Sequence, residues 1–205
     1  EANEINYHPV FPTLHHTFSD IQSILKNEIP TAAELNVHQL TEALATKIKP
    51  IFSTCEFSIV GVNFLIADSG SIAVFENEGN AAQLSSIPKV QVVLAGIEQL
   101  IPSSNELDLF LHLSATHSFG NTSYSYAHLI SGPKQSDEND GPEEMYVILV
   151  DNGRSDVLAQ INQRSALSCI QCGACYNVDP VYKNIGGHAY QSIYNGPIGS
   201  IISPL

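Results

Sequence analysis

Val62-Asn63-Phe64-Leu65-Ile66-Ala67-Asp68-Ser69-Gly70-Ser71-Ile72-Ala73-Val74-Phe75 is the stretch that decides the fold class. Two short apolar runs, Val62 to Ala67 and Ser71 to Phe75, flank Asp68-Ser69-Gly70, a composition that favours a tight turn. The stretch therefore reads as two strands joined by a hairpin-like turn. Toward the C-terminus, Val90 to Ala95 is almost continuously apolar and reads as a strand buried on both faces. Tyr124, Tyr126, His128 and Ile130 alternate at period two, and Met145 to Val150 forms a fifth strand. Helical patterns fall between them. Leu107, Phe110 and Leu111 stripe a helix around Glu106 to Ser114, and Val157, Leu158 and Ile161 mark another after Asp151-Asn152-Gly153. Strands interleaved with helices predict a three-layer α/β domain with a mixed, mostly parallel sheet.

Toward the N-terminus the pattern is helical. Phe18, Ile21, Ile24 and Leu25 share one face, Thr17 is placed to cap it, and Pro30 ends it. Thr31 with Glu34 three residues later has capping-box spacing and predicts a second helix, with Leu40, Leu44 and Ile48 as its apolar face and Pro50 as its stop. The α/β domain spans 1–165. Residues 166–205 differ in composition, being rich in Gly, Tyr, Asn and Cys, and form a C-terminal cysteine-bearing extension.

The 205 residues are 43% apolar and 14% charged, enough apolar area for a packed core and too much for a disordered chain. A net charge of -13 disfavours a surface that tracks phosphates, so nucleic acid is excluded as a partner. No apolar run reaches the length of a membrane span. Glu1-Ala2-Asn3 lacks an initiating Met and a signal segment, and the far end stops on Ile201-Ile202-Ser203-Pro204-Leu205, which suggests trimming at both ends.

Cys55 stands alone, whereas Cys169, Cys172 and Cys175 fall within seven residues. Thiols at i, i+3 and i+6 cannot pair efficiently with one another but can converge on one metal centre. A reducing compartment, the cytoplasm, follows. The run Cys169-Ile170-Gln171-Cys172-Gly173-Ala174-Cys175-Tyr176-Asn177-Val178-Asp179-Pro180 matches the bacterial ferredoxin pattern C-x-x-C-x-x-C-x-x-x-C-P, with Asp179 in the place of the fourth cysteine. Zinc, or three thiols without metal, is the alternative. A carboxylate is a poor match for iron–sulfide, which makes Asp179 a doubtful ligand.

Other groups of residues are candidates for a ligand site. Glu76-Asn77-Glu78-Gly79-Asn80 follows a strand, where acidic and amide side chains can form a binding turn. Gly132 and Gly141 bracket an acidic loop and permit close backbone approach. Asp68, Ser69 and Gly70 occupy the turn described above. A small carboxylate needs a cation, and of two arginines Arg154 sits at a strand-to-helix junction. Pairing of Arg154 with Asp151 or Asp156 is the alternative. The histidines are scattered, none at metalloenzyme spacing, with His188 set apart by its position after Gly186-Gly187.

Gly61-Val62-Asn63-Phe64-Leu65-Ile66-Ala67-Asp68-Ser69-Gly70-Ser71-Ile72 with Glu76 to Asn80 resembles the signature of the LUD (lactate utilization) domain family. Asp151-Asn152-Gly153-Arg154-Ser155, the cysteine motif, Pro180-Val181-Tyr182, Ile185-Gly186-Gly187-His188-Ala189-Tyr190 and Gly196-Pro197-Ile198-Gly199 are similar to the iron–sulfur subunits of that family. The resemblance implies a NagB/RpiA/CoA-transferase-like α/β fold. It also implies a longer protein, with a region before Glu1 and a second cysteine motif after Leu205. The implied function is electron transfer in a bacterial complex that oxidises L-lactate to pyruvate, with the complex's other subunits as partners and lactate or another small carboxylate as ligand. The implied cofactor is a 4Fe–4S cluster. With Asp179 in the fourth position, the cluster is expected to be absent or incomplete here, and the tail disordered or empty. No catalytic residue is implied. A second expectation is a small-molecule or acyl/CoA-binding domain on the same scaffold, with Glu76 or Glu78 as its acidic group.

Overall fold

The computed structural model describes Glu4, Ile5, Tyr7, His8 and residues 11–204. Glu1 to Asn3 and Leu205, on which the reading of trimmed ends partly rests, lie outside the described residues.

Thr17 opens α1 (Phe18–Leu25) with a capping box, its hydroxyl accepting from the Asp20 N–H while the Asp20 carboxylate accepts from the Thr17 N–H. The second helix, α2 (Val37–Ser53), starts later than the Thr31/Glu34 spacing predicts. Ala32–Glu34 is a single 3-10 turn without a side-chain cap. Reciprocal 3.0 Å bonds link Asn36 and Gln39 instead, each side-chain oxygen accepting from the other residue's N–H. Pro50 lies inside the helix and does not stop it. Ile29, Ala32 and Leu40 bury a small core here, with Ile21, Leu25 and Leu44 packed around it.

The chain continues through β1 (Phe57–Gly61), β2 (Phe64–Ile66), β3 (Ser71–Glu76), α3 (Asn80–Ser86), β4 (Val90–Gly96), β5 (Leu100–Ile101), α4 (Leu107–Phe119), β6 (Tyr126–Ile130), β7 (Glu144–Val150) and α5 (Arg154–Ala159). After 3-10 turns at Arg164–Ser168 and Ala174–Asn177 come α6 (Pro180–Ile185) and α7 (Gly196–Ile202). The fold is mixed α/β. Strands β1, β4 and β7 form a wholly parallel sheet in the order β1-β4-β7. A second sheet has the order β5-β2-β3-β6, parallel between β2 and β5 and antiparallel elsewhere. Between β2 and β3, Gly70 adopts φ +68°, a conformation open to glycine, and its N–H reaches the Ile66 carbonyl at 2.9 Å.

Every residue of β3 is buried. Ile72 and Val74 pack with Leu65, Val93 and Ala95, joining the two sheets. Ala73 and Phe75 pack with Phe64, Ile66 and Ile101 against Leu107, Phe110 and Leu111 of α4. The central strand of the parallel sheet, β4, alternates rather than being buried on both faces. Gln91 and Val93 are 0% exposed, while on the other face Leu94 and its neighbours Phe57, Ile59, Tyr146 and Ile148 are between 39% and 57% exposed. An apolar run of strand length cannot report whether its second face has a cover.

Two compact units divide the chain. Residues up to Ser53 join Cys175–Pro204 in one, and Thr54–Ala174 forms the other. Within the first unit the C-terminal segment packs on residues near the chain's start. Tyr176 is buried and tilts against Tyr182, and Tyr182 in turn packs on Tyr7 near the chain's start. The Tyr182 hydroxyl and the Asn195 amide both donate to the Tyr7 carbonyl, at 3.2 and 2.9 Å. Gly187 lies against that same carbonyl so closely that a Cβ would collide with it.

Candidate functional site

Glu76 ends β3 and is 6% exposed, an acidic side chain that must be compensated where it is buried. Its Oε2 accepts from the Ala81 N–H at 2.8 Å and its Oε1 from the Ala82 N–H at 2.9 Å, satisfying two open donors in the first turn of α3. Gly79, at φ +79°, lets the chain turn back for this. The third partner is His128 Nε2 on β6, 2.9 Å from Glu76 Oε1. The register β3–β6 sets Glu76 opposite Tyr126 and Val74 opposite His128, which makes Glu76 and His128 diagonal neighbours on one face. The His128 ring stacks on Tyr126 at 5.9 Å and 12°.

His128 borders a cavity of about 340 Å³ that Ser85 and Ser86 of α3, Asp140 and Gly141 also line. The Gly141 N–H donates to the Ser86 carbonyl at 2.9 Å and fastens the acidic loop to α3. The predicted ligand residues do not all meet here. Gly141 lines the cavity, and Glu76 reaches it only through His128. Asn77 accepts from the Ser125 N–H at 2.9 Å and tethers the approach to β6, and Glu78 is exposed. Asp68, Ser69 and Gly70 sit at the opposite end of β3, roughly 20 Å along the strand at its usual rise per residue. Gly132 follows Ser131, whose hydroxyl meets that of Ser71 at 2.9 Å, and so belongs to that far end.

Arg154 begins α5, but its charge is already engaged. Its Nε pairs with the largely buried Glu98 at 2.5 Å, and Nη1 donates to the Asp151 carbonyl at 3.0 Å. The Asp151 carboxylate accepts from Ser155, through both N–H and hydroxyl, and these bonds hold it below the usual carboxylate range. The sequence named Asp151 and Asp156 as partners, and Glu98 is supplied by a segment distant in sequence.

Along the cysteine motif, Gln171 and Gly173 both have left-handed backbones, φ 58° and 75°. The Gln171 N–H turns toward Cys169 Sγ at 3.4 Å, and the Ser118 hydroxyl donates to the Cys172 carbonyl at 3.1 Å. No disulfide forms among the described residues. Cys175 opens the portion of the tail that belongs to the first unit. Asp179 is the N-cap of α6, accepting from the N–H groups of Val181 and Tyr182 at 3.3 and 2.9 Å and from the Tyr190 hydroxyl. The Tyr190 bond is the main reason its carboxyl titrates below the ordinary value, and the same bond pushes Tyr190 up to about 12. Its oxygens are committed to the fold. Asp before Pro at the first helical position is itself a helix-start signal, which the ferredoxin register obscured.

Residues 2–150 match the LUD domain. The chain belongs to the LUD domain family. Two relatives are both named lactate utilization protein B. The one from Bacillus cereus (strain B4264) is 38% identical over 203 residues, and the one from Bacillus cytotoxicus is 39% identical over the same length. In both cases the match covers 99% of this chain and 42% of the relative, so the chain spans less than half the length of these LUD proteins. A solved DUF162 family protein from Deinococcus radiodurans is 17% identical, with a TM-score of 0.37 over 60% of this chain and 70% of that one. No helix among the described residues of this LUD chain is long and apolar enough to cross a membrane.

Sequence reasoning missed His128 and Asp140. Period-two alternation placed His128 on a strand, but only the pairing of β6 with β3 brings it to Glu76.

Proposed function

We propose that this LUD chain is part of an iron–sulfur subunit that carries electrons in the oxidation of L-lactate to pyruvate in the bacterial cytoplasm, working with other subunits of a lactate utilization system. Relatives that bear the name lactate utilization protein B support the setting. The observation that carries the chemistry is the loop between the cysteines. Gln171 and Gly173 have left-handed backbones, the kind of turn from which N–H nests for anionic centres such as iron–sulfur clusters are built. Three thiolates at this spacing suit three irons of a 4Fe–4S cluster. Cys169, Cys172 and Cys175 would hold it, and when bound it would accept and release single electrons. Asp179 does not fit as the fourth ligand, because its carboxylate caps α6 and receives the Tyr190 hydroxyl. The remaining ligand in this reading comes from outside these residues.

The test is iron and acid-labile sulfide content with a visible spectrum, measured on anaerobically purified full-length protein. Matched iron and sulfide that fall sharply in Cys172→Ser support the reading. Zinc in place of iron, or metal content unaffected by Cys172→Ser, overturns it.

A second reading, a domain that binds a small carboxylate or acyl group, is favoured by the pairing of buried Glu76 with the partly exposed His128 beside its cavity. Both Glu76 oxygens already accept hydrogen bonds, so His128 is the group left to meet a ligand and Glu76 the one that orients it. Calorimetric titration with L-lactate and with coenzyme A tests this. Binding that His128→Gln abolishes supports it, and absence of heat with either compound removes it.

A further inference from the structure

Three imidazoles gather around a single carboxylate oxygen in the first unit. Glu4 Oε2 lies 2.8 Å from His15 Nε2, 3.6 Å from His16 Nε2 and 3.9 Å from His188 Nε2. One donor atom from each of Glu4, His15 and His16 falls within 4.8 Å of the others. The donors of a tetrahedral zinc site, each about 2.0–2.2 Å from the metal, stand roughly 3.3–3.5 Å from one another. The two carboxylate–imidazole separations, 2.8 and 3.6 Å, bracket that edge, and with all three donors within 4.8 Å of one another modest side-chain shifts would let one ion sit among them.

The rings are held in place by packing. His15 stacks on Tyr7 at 4.7 Å and 28°, tilts against His16 at 4.0 Å, and meets the edge of His188 at 4.6 Å and 79°. Tyr7 is itself held against Tyr182. The His16 side chain is 11% exposed, and His15 Nδ1 is buried without a hydrogen-bond partner among the described residues. His15 therefore engages polar groups only through its Nε2 edge, which faces Glu4. A simple ion pair explains one imidazole beside one carboxylate. It does not explain three rings directed at the same oxygen.

We propose that Glu4, His15 and His16 bind a divalent transition-metal ion of the zinc and cobalt class. Two imidazoles and a carboxylate form a borderline donor set that suits these ions, whereas calcium and magnesium call for oxygen ligands throughout. His188 Nε2 is hydrogen-bonded to the Ile5 carbonyl at 3.2 Å and so borders the site without being one of its three ligands. Three protein ligands leave a coordination position beside His188 for water or an oxygen of a small ligand. Nothing in this assignment depends on the cysteines or on the function proposed above.

The experiment is a cobalt(II) titration of the chain carrying Cys169→Ser, Cys172→Ser and Cys175→Ser, followed by absorption. The expected result is one equivalent of cobalt with visible d–d bands and no thiolate charge-transfer band. Affinity should fall by about 100-fold or more in each of Glu4→Gln and His16→Gln, at least the loss that removing a supporting group produces. Circular dichroism on Glu4→Gln, a change at a half-exposed side chain, separates lost ligation from lost folding. If the serine variant does not fold, X-ray absorption of the zinc-loaded unaltered chain reads nitrogen and oxygen neighbours at this site and sulfur at the cysteines. Cobalt or zinc bound only through sulfur, no binding at all, or binding indifferent to both Gln substitutions would overturn the assignment.

Discussion

Glu76 joins three elements through one carboxylate: the end of β3, the first turn of α3 and His128 on β6. Removing it strands the Ala82 N–H and an imidazole, and leaves the Ala81 N–H to Asn80 Oδ1 alone. Glu76→Ala is expected to lower stability by about 2–4 kcal/mol in urea denaturation, the scale of leaving buried partners unsatisfied. Asp179 is the corresponding residue in the tail. Its carboxyl is held below the ordinary value of 3.8, chiefly by the Tyr190 hydroxyl. A group depressed on folding stabilises the fold at pH above its unfolded value, and that contribution is lost as pH falls through the folded value. Melting temperature should therefore drop between about pH 5 and pH 3, and Asp179→Asn should make the drop smaller while lowering stability near neutrality. Equal acid sensitivity in the two proteins would show that Asp179 is not a source of the effect.

At the scale of elements, helix α2 shows how a local signal can be outbid by another nearby. Thr31 and Glu34 have the right spacing, yet the chain there makes one 3-10 turn, and the reciprocal bonds between Asn36 and Gln39 start the helix instead. Asn36→Ala should cost about 1 kcal/mol, the usual worth of an N-cap. Thr31→Ala should cost almost nothing, because its side chain makes no capping bond. Thermal melts of the two variants decide between the alternative starts. Pro50 is tolerated in the last turn, where only a few residues of helix follow it.

At the scale of the whole molecule, burial is unequal across the parallel sheet. Val93 is fully enclosed between the two sheets, whereas Ile148 on the neighbouring strand is 48% exposed on the opposite face. Val93→Ala is expected to cost about 2–3 kcal/mol through lost burial and the void it leaves. Ile148→Thr should stay within about 0.5 kcal/mol, as exposed positions usually do. Denaturation midpoints for the two variants measure the contrast. Similar losses would mean that the second face of the sheet is covered in solution.

The sequence by itself determined what is local. The apolar runs on either side of Asp68-Ser69-Gly70 became β2 and β3, Gly70 supplied the backbone the turn requires, and Thr17 capped α1. Periodicity, caps and turns act over a few residues, so composition and spacing suffice to read them. The convergence of side chains was decided by tertiary structure. Strand register set Glu76 beside His128, Glu98 took the charge of Arg154, and the fold of the first unit drew His15, His16 and His188 around Glu4. Such meetings depend on how distant segments pack, and a spacing rule along the chain has no access to that.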